Sequence, residues 1–280
     1  MKRVRRYTVV AYTAVCLVAA VPAGAGTLKC PADSVKVGNN CIDTYEASVW
    51  QIPPSNRSLV KKVQAGKATL ADLTKGGATL LSPAFSCTPG YPANFPAGGQ
   101  WTPVPGSTPP SPGVYAVSIA GVLPSTCIDW FQAAQACRLS GKRLATNLEW
   151  QDAAAGTPDP GNTPGANDCN TKSAGVLMAS NTGSRTNCKS SWGAFDMIGN
   201  VIEWVADWAN LNTGGSTNST VLGLPGGDDI RYGGDGSPGY PAALVRGGVV
   251  GGGTGDGVFM VDTVYFPGNA AAGIGFRCAR

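Results

Sequence analysis

Polar and apolar positions alternate with a helical period in only two places along this chain. Asp129 and Gln132 form a capping-box pattern, followed by Trp130, Ala133, Ala134 and Cys137 on one face and a stop at Gly141. Thr146 and Glu149 form a second box, T-x-x-E, which leads through Trp150 and Ala153 to a stop at Gly156. Helices are therefore expected at about residues 129–140 and 147–155, with Glu149 acting as a cap. A third apolar stretch, Val9 to Val21, lacks this periodicity. It follows Lys2, Arg3, Arg5 and Arg6 and ends in Ala23-Gly24-Ala25. A basic start, a short apolar run and small residues read as a secretory signal over 1–25, because the run is too short to span a bilayer.

Elsewhere long apolar periods are rare. The 280 residues include 39 Gly and 21 Pro, and only 14% are charged. Such a chain is expected to be mostly loop and short strand. A Pro/Gly-rich tract at about 89–112 reads as a loop insertion within one domain covering 26–280.

Charge and cysteine content narrow the picture. The leader holds four of the 21 basic residues, which leaves 17 against 17 acidic residues. No nucleic acid or anionic membrane surface is expected as a partner. Of nine cysteines Cys16 goes with the leader, and the even remainder suits disulfides in a secreted or periplasmic protein. Eight cysteines allow 105 pairings, so spacing alone does not choose among them. The chain contains no histidine, which excludes Ser-His-Asp and Cys-His nucleophiles and His-ligated metal centres.

Four blocks carry a family resemblance. They are Gly141-Lys142-Arg143-Leu144-Ala145-Thr146-Asn147-Leu148-Glu149-Trp150, the run Gly193 to Trp204 (GAFDMIGNVIEW), Leu244-Val245-Arg246-Gly247-Gly248, and the closing Gly275-Phe276-Arg277-Cys278. In this order the chain resembles the formylglycine-generating enzymes, or sulfatase-modifying factors. That resemblance implies an α+β, C-type-lectin-like fold with low regular secondary structure. It also implies a Cys137–Cys278 disulfide. Short spacings then favour Cys30–Cys41 and Cys169–Cys188, leaving Cys87–Cys127.

The resemblance further implies structural calcium at Asp196 and Glu203, with the carbonyls of Gly199 and Val201. Hard oxygen donors suit that ion. On spacing alone the same two carboxylates are better read as turn caps, with Trp204 and Trp208 filling the core. Family enzymes oxidise a cysteine using copper held by two cysteines five apart, shortly after the Gly-Gly. Here those positions are Gly252 and Gly257, which offer no soft side-chain ligand, so no copper is expected.

The segment 249–272 also resembles the binding face of lectin-fold variable proteins. Asp256, Asp262, Thr263, Tyr265 and Asn269 are accordingly expected to contact an unidentified protein, peptide or small-molecule ligand. Two function classes remain open: an exported, catalytically degenerate binding module, and an enzyme modifying a peptide or small molecule by a mechanism without cysteine.

Overall fold

The computed structural model describes residues 28–83, 87, 91, 113–172, 178–211, 217–218, 227–231 and 240–280. The expected leader 1–25 lies outside these residues, as does the 89–112 tract apart from Tyr91.

Two turns of sequence logic set the helical layer. Helix α3 (Trp130–Leu139) opens on Asp129, whose side chain accepts from the Gln132 N–H while Gln132 reaches back to the cap N–H. Helix α4 (Asn147–Ala154) opens on the reciprocal Thr146–Glu149 box. Both boxes satisfy backbone donors that a helix start leaves orphaned. Two further short helices precede them, α1 (Arg57–Gln64) capped by Asn56, and α2 (Leu70–Lys75) opening on a Thr69–Asp72 box.

The strands form three sheets. A four-stranded sheet runs β1 (Ser34–Val37), β2 (Asn40–Asp43), β13 (Cys278–Ala279) and β6 (Arg143–Leu144). It joins the two ends of the described chain, with Ala279 opposite Ile42 and Cys278 opposite Leu144. A three-stranded sheet sets β3 (Ser48–Ile52) between β4 (Thr79–Leu81) and β5 (Gly113–Val117). The largest sheet is ordered β12 (Ile274–Phe276), β7 (Ile202–Asn210), β10 (Pro241–Gly247), β11 (Gly257–Asp262), β9 (Asp229–Arg231) and β8 (Thr217–Asn218).

The core lies between α3 and the β7–β10 pair, where Ala133, Ala136, Trp204, Val245 and Phe276 meet. A second cluster holds Trp150 and Ala153 of α4 against Val205 and Leu244. Disulfides join Cys137 to Cys278, Cys30 to Cys41, Cys169 to Cys188 and Cys87 to Cys127. The first spans 141 residues and anchors α3 to the closing strand. Cross-linking distant segments removes conformations chiefly from the unfolded chain.

Candidate functional site

Three motifs of the sequence, the acidic turn, the Gly-Gly loop and the closing Arg, converge around β7 and β10. Strand β12 runs parallel to β7 with Gly275 beside Glu203, and this register places Arg277 over the Glu203 carboxylate. Arg277 Nε donates to Glu203 Oε2 at 2.7 Å and Nη2 donates to Oε1 at 2.5 Å. The Trp150 indole N–H also donates to Oε2, at 2.7 Å. Arg277 completes its set with the carbonyls of Asp43 and Phe195. Both charged side chains are fully buried, and the fork geometry leaves neither short of partners.

Two further carboxylates surround the same guanidinium. Glu46, in the turn before β3, accepts from Asn200 Nδ2 at 2.6 Å and from the Val201 N–H at 3.2 Å. Its acid is pushed well up by burial and by the charges of Asp196 and Glu203. Asp196 accepts from the Gly183 N–H at 2.7 Å through one oxygen, while the other, Oδ1, is buried with no partner. Burial pushes its acid up to about 6. Asn200 ties the loops together, accepting from Asn170 Nδ2 and the Ser180 N–H.

Of the expected calcium residues, Glu203 is paired with Arg277, while Asp196 lies on the adjoining turn with Gly199 and Val201. Among the described residues no three acidic, cysteine or histidine side chains form a metal-holding group. Both Glu203 oxygens are taken up by Arg277 and Trp150, so the carboxylate oxygen left without a hydrogen-bond partner at this turn is Asp196 Oδ1.

The Gly-Gly loop is closed from within. Gly247 and Gly248 leave β10 with φ of 88° and 85°, a backbone region open chiefly to glycine. Asp256 then folds back beneath the loop, its Oδ1 accepting from the Val249 N–H at 3.0 Å and its Oδ2 buried without a partner. Burial, with the charges of Asp159 and Asp229, raises its acid to about 8. Asp228 accepts from the Phe259 N–H at 2.7 Å, and burial raises it to about 6. A Cβ added at Gly252 would fall within 3.0 Å of the Asp256 carboxylate, and one added at Gly257 would meet Asp228 just as closely. Carboxylates thus fill the space beside both positions where the resemblance placed catalytic cysteines.

The same packing sets how far each residue of the expected ligand face is covered. Asp256, Asp262 and Thr263 are buried, and Asp262 Oδ1 accepts from the Val264 N–H at 2.8 Å. Tyr265 is half-buried with its ring edge-on to Trp204. Asn269 alone of the five is exposed, and it caps its own turn through the Phe266 N–H. Asp256 just before β11, Asp262 at its end and Thr263 just after it are all covered by packing around the strand ends, which a Gly-rich sequence does not announce. Sequence reasoning missed Glu46, whose partner Val201 lies 155 residues away. It also missed the exposed ring of Trp208 as a surface feature.

Two small antiparallel sheets, one mixed six-stranded sheet and short capped helices, stapled by four disulfides, form the C-type-lectin-like architecture in its low-helix form. The family model of the sulfatase-modifying factor enzyme 1-like domain matches residues 21–280, and the chain belongs to that family. A formylglycine-generating enzyme of Thermomonospora curvata is 27% identical over 199 residues, covering 64% of this chain and 63% of that enzyme. A serine/threonine-protein kinase pkn1 of Chlamydia pneumoniae is 32% identical over 85 residues, 30% of this chain and 14% of the kinase. The chain therefore spans less than two thirds of either relative. Among solved structures, the Major Tropism Determinant P3c variant aligns at a TM-score of 0.45 with 19% identity, over 89% of this chain and 52% of that one. PvdO from Pseudomonas aeruginosa aligns at 0.40 with 19% identity, over 86% and 80%.

Proposed function

We propose that this chain is an exported, catalytically degenerate member of the sulfatase-modifying factor family that works as a binding module. The observation that carries the reading is the filled loop: Gly252 and Gly257 lie against the Asp256 and Asp228 carboxylates, where copper chemistry would need two thiolates. All eight cysteines from Cys30 onward are in disulfides, so no free thiol remains to ligate copper or to act as nucleophile. Four disulfides favour an oxidising compartment such as the periplasm or cell exterior. The rigid scaffold that they and the Arg277–Glu203 pair create suits presentation of a surface.

Calcium belongs to this proposal in its reduced form. The orphan Asp196 oxygen favours a bound hard cation at the 196–201 turn, and such an ion would also relieve the burial and like-charge repulsion that push the Asp196 and Glu46 acids up. Such an ion would neutralise the turn and stiffen it; the chemistry it supplies is structural.

The test is elemental analysis of the purified protein together with oxygen consumption in the presence of a cysteine-containing peptide. The reading expects calcium at most and no thiol-dependent oxygen uptake. Stoichiometric copper or iron with turnover would contradict it and return the chain to the oxidases.

A further inference from the structure

A groove on the opposite side of α3 from the core supplies what the 249–272 loop does not. Its volume is about 560 Å³, and its walls are Trp130 and Phe131 of α3 with Trp208 of β7. The three rings meet edge to face, with centroids 5.1 to 5.8 Å apart. Trp130 cannot turn away, because its indole N–H is committed to the Val205 carbonyl at 2.8 Å. Small residues, Ala134 and Ala206, give the groove its depth.

The polar groups along it are donors. Gln135 and Arg138 stand three residues apart on α3 and so share a face. Among the described residues, the Trp208 indole N–H and the Gln135 and Arg138 side chains have no hydrogen-bond or ion-pair partner. Trp208 keeps 43% of its surface exposed, although an indole of its size is usually covered. The apolar surface continues past the groove. Trp130 N–H donates to the Pro267 carbonyl, next to Phe266, whose ring is edge-on to Tyr240, and both of those rings are exposed.

Rigid rings, an indole N–H free to bind a carbonyl and an unpaired guanidinium describe one kind of occupant. The geometry points to an extended, proline-containing peptide with an acidic residue, lying across Trp130 and Trp208 with its carboxylate at Arg138. Proline segments suit such grooves because they are already ordered, present flat rings to aromatic walls, and leave every backbone carbonyl open to a donor. A neutral or basic peptide would leave Arg138 without its counter-charge. This inference rests on the binding-module reading and names the class of partner.

The experiment uses the full exported chain, titrated against a fluorescein-labelled decapeptide of alternating proline and glutamate and followed by anisotropy. Proline–lysine and glycine–glutamate decapeptides are the comparisons. Saturable binding of the proline–glutamate peptide is expected, with both comparison peptides weaker by about tenfold or more. Trp208→Ala should weaken binding by a similar factor while unfolding at an unchanged urea midpoint, since the ring lies at the rim. Arg138→Gln should erase the preference for glutamate over lysine and leave proline binding measurable. No saturable binding by the unmodified chain, equal binding of the glycine–glutamate peptide, or full affinity in Trp208→Ala would each overturn the assignment. The same preparation is assayed for thiol oxidation: a negative oxidase assay with no peptide binding removes this inference alone, whereas oxidase turnover removes the binding-module reading whatever the peptide does.

Discussion

Substituting Gly252 with alanine tests whether the Gly-Gly loop is filled by carboxylate. Gly252 sits at φ −73°, ψ −28°, a helical conformation that every residue adopts, so nothing in its backbone demands glycine. At such a position Gly→Ala ordinarily stabilises by about 0.4–1 kcal/mol through the unfolded chain. Here the new methyl would fall inside contact distance of all three carboxyl atoms of Asp256. That side chain has little room to yield, being 3% exposed, tied to the Val249 N–H and lying against Gly248 from the other side. Overpacking costs roughly 1–3 kcal/mol and losing a buried hydrogen bond about another 1 kcal/mol. A net destabilisation of about 2–3 kcal/mol follows, opposite in sign to the usual effect. In an Asp256→Ala background the methyl meets empty space, so the same substitution should be neutral or mildly stabilising. Urea unfolding followed by tryptophan fluorescence on the four proteins gives the coupling energy directly. A coupling below about 0.5 kcal/mol would mean the two residues act independently and the loop is not filled as described.

Breaking the buried Arg277–Glu203 pair with Glu203→Gln leaves a guanidinium uncompensated, and should cost about 3–5 kcal/mol in the same urea assay, with or without chelator. Chelation with EDTA should lower the melting temperature of the unmodified chain and leave Asp196→Asn unmoved; an equal fall in both, or in neither, counts against a cation at the 196–201 turn. Asp256 holds its proton to about pH 8 when folded and loses it near 3.8 when unfolded, so between those values the native state binds more protons and stability falls as pH rises. Asp43, Asp196 and Asp228 are raised only to about 6, so the slope from pH 6 to 8 is carried by Asp256 together with the raised Glu46 acid, and Asp256→Asn should remove the Asp256 share of it in thermal melts. A slope unchanged in the Asn variant would place the titration elsewhere.

What could be read from sequence was local. The boxes at Asp129–Gln132 and Thr146–Glu149 specify their helices within a few residues, because side chain and backbone satisfy each other across one turn. Thr69 and Asp72 carry the same signal for α2, and it passed unused because the helix has only six residues. The counter-ion of Glu203 was not legible: Arg277 lies 74 residues on, and a parallel register between β7 and β12 brings it there. The burial of Asp256, Asp262 and Thr263 was hidden for a related reason, since polar residues in a Gly-rich stretch look exposed until the tertiary packing at both ends of β11 covers them. Trp208 shows the converse: the turn-cap alternative puts it in the core with Trp204, and it stands 43% exposed beside α3.

The central claim is that family membership here comes without family chemistry. It is tested most directly by incubating the purified chain with a sulfatase-type cysteine peptide, oxygen, a thiol reductant and added copper, and reading the peptide by mass spectrometry. The filled loop predicts an unmodified cysteine at all times and copper levels. Appearance of the aldehyde product in proportion to enzyme would contradict the account.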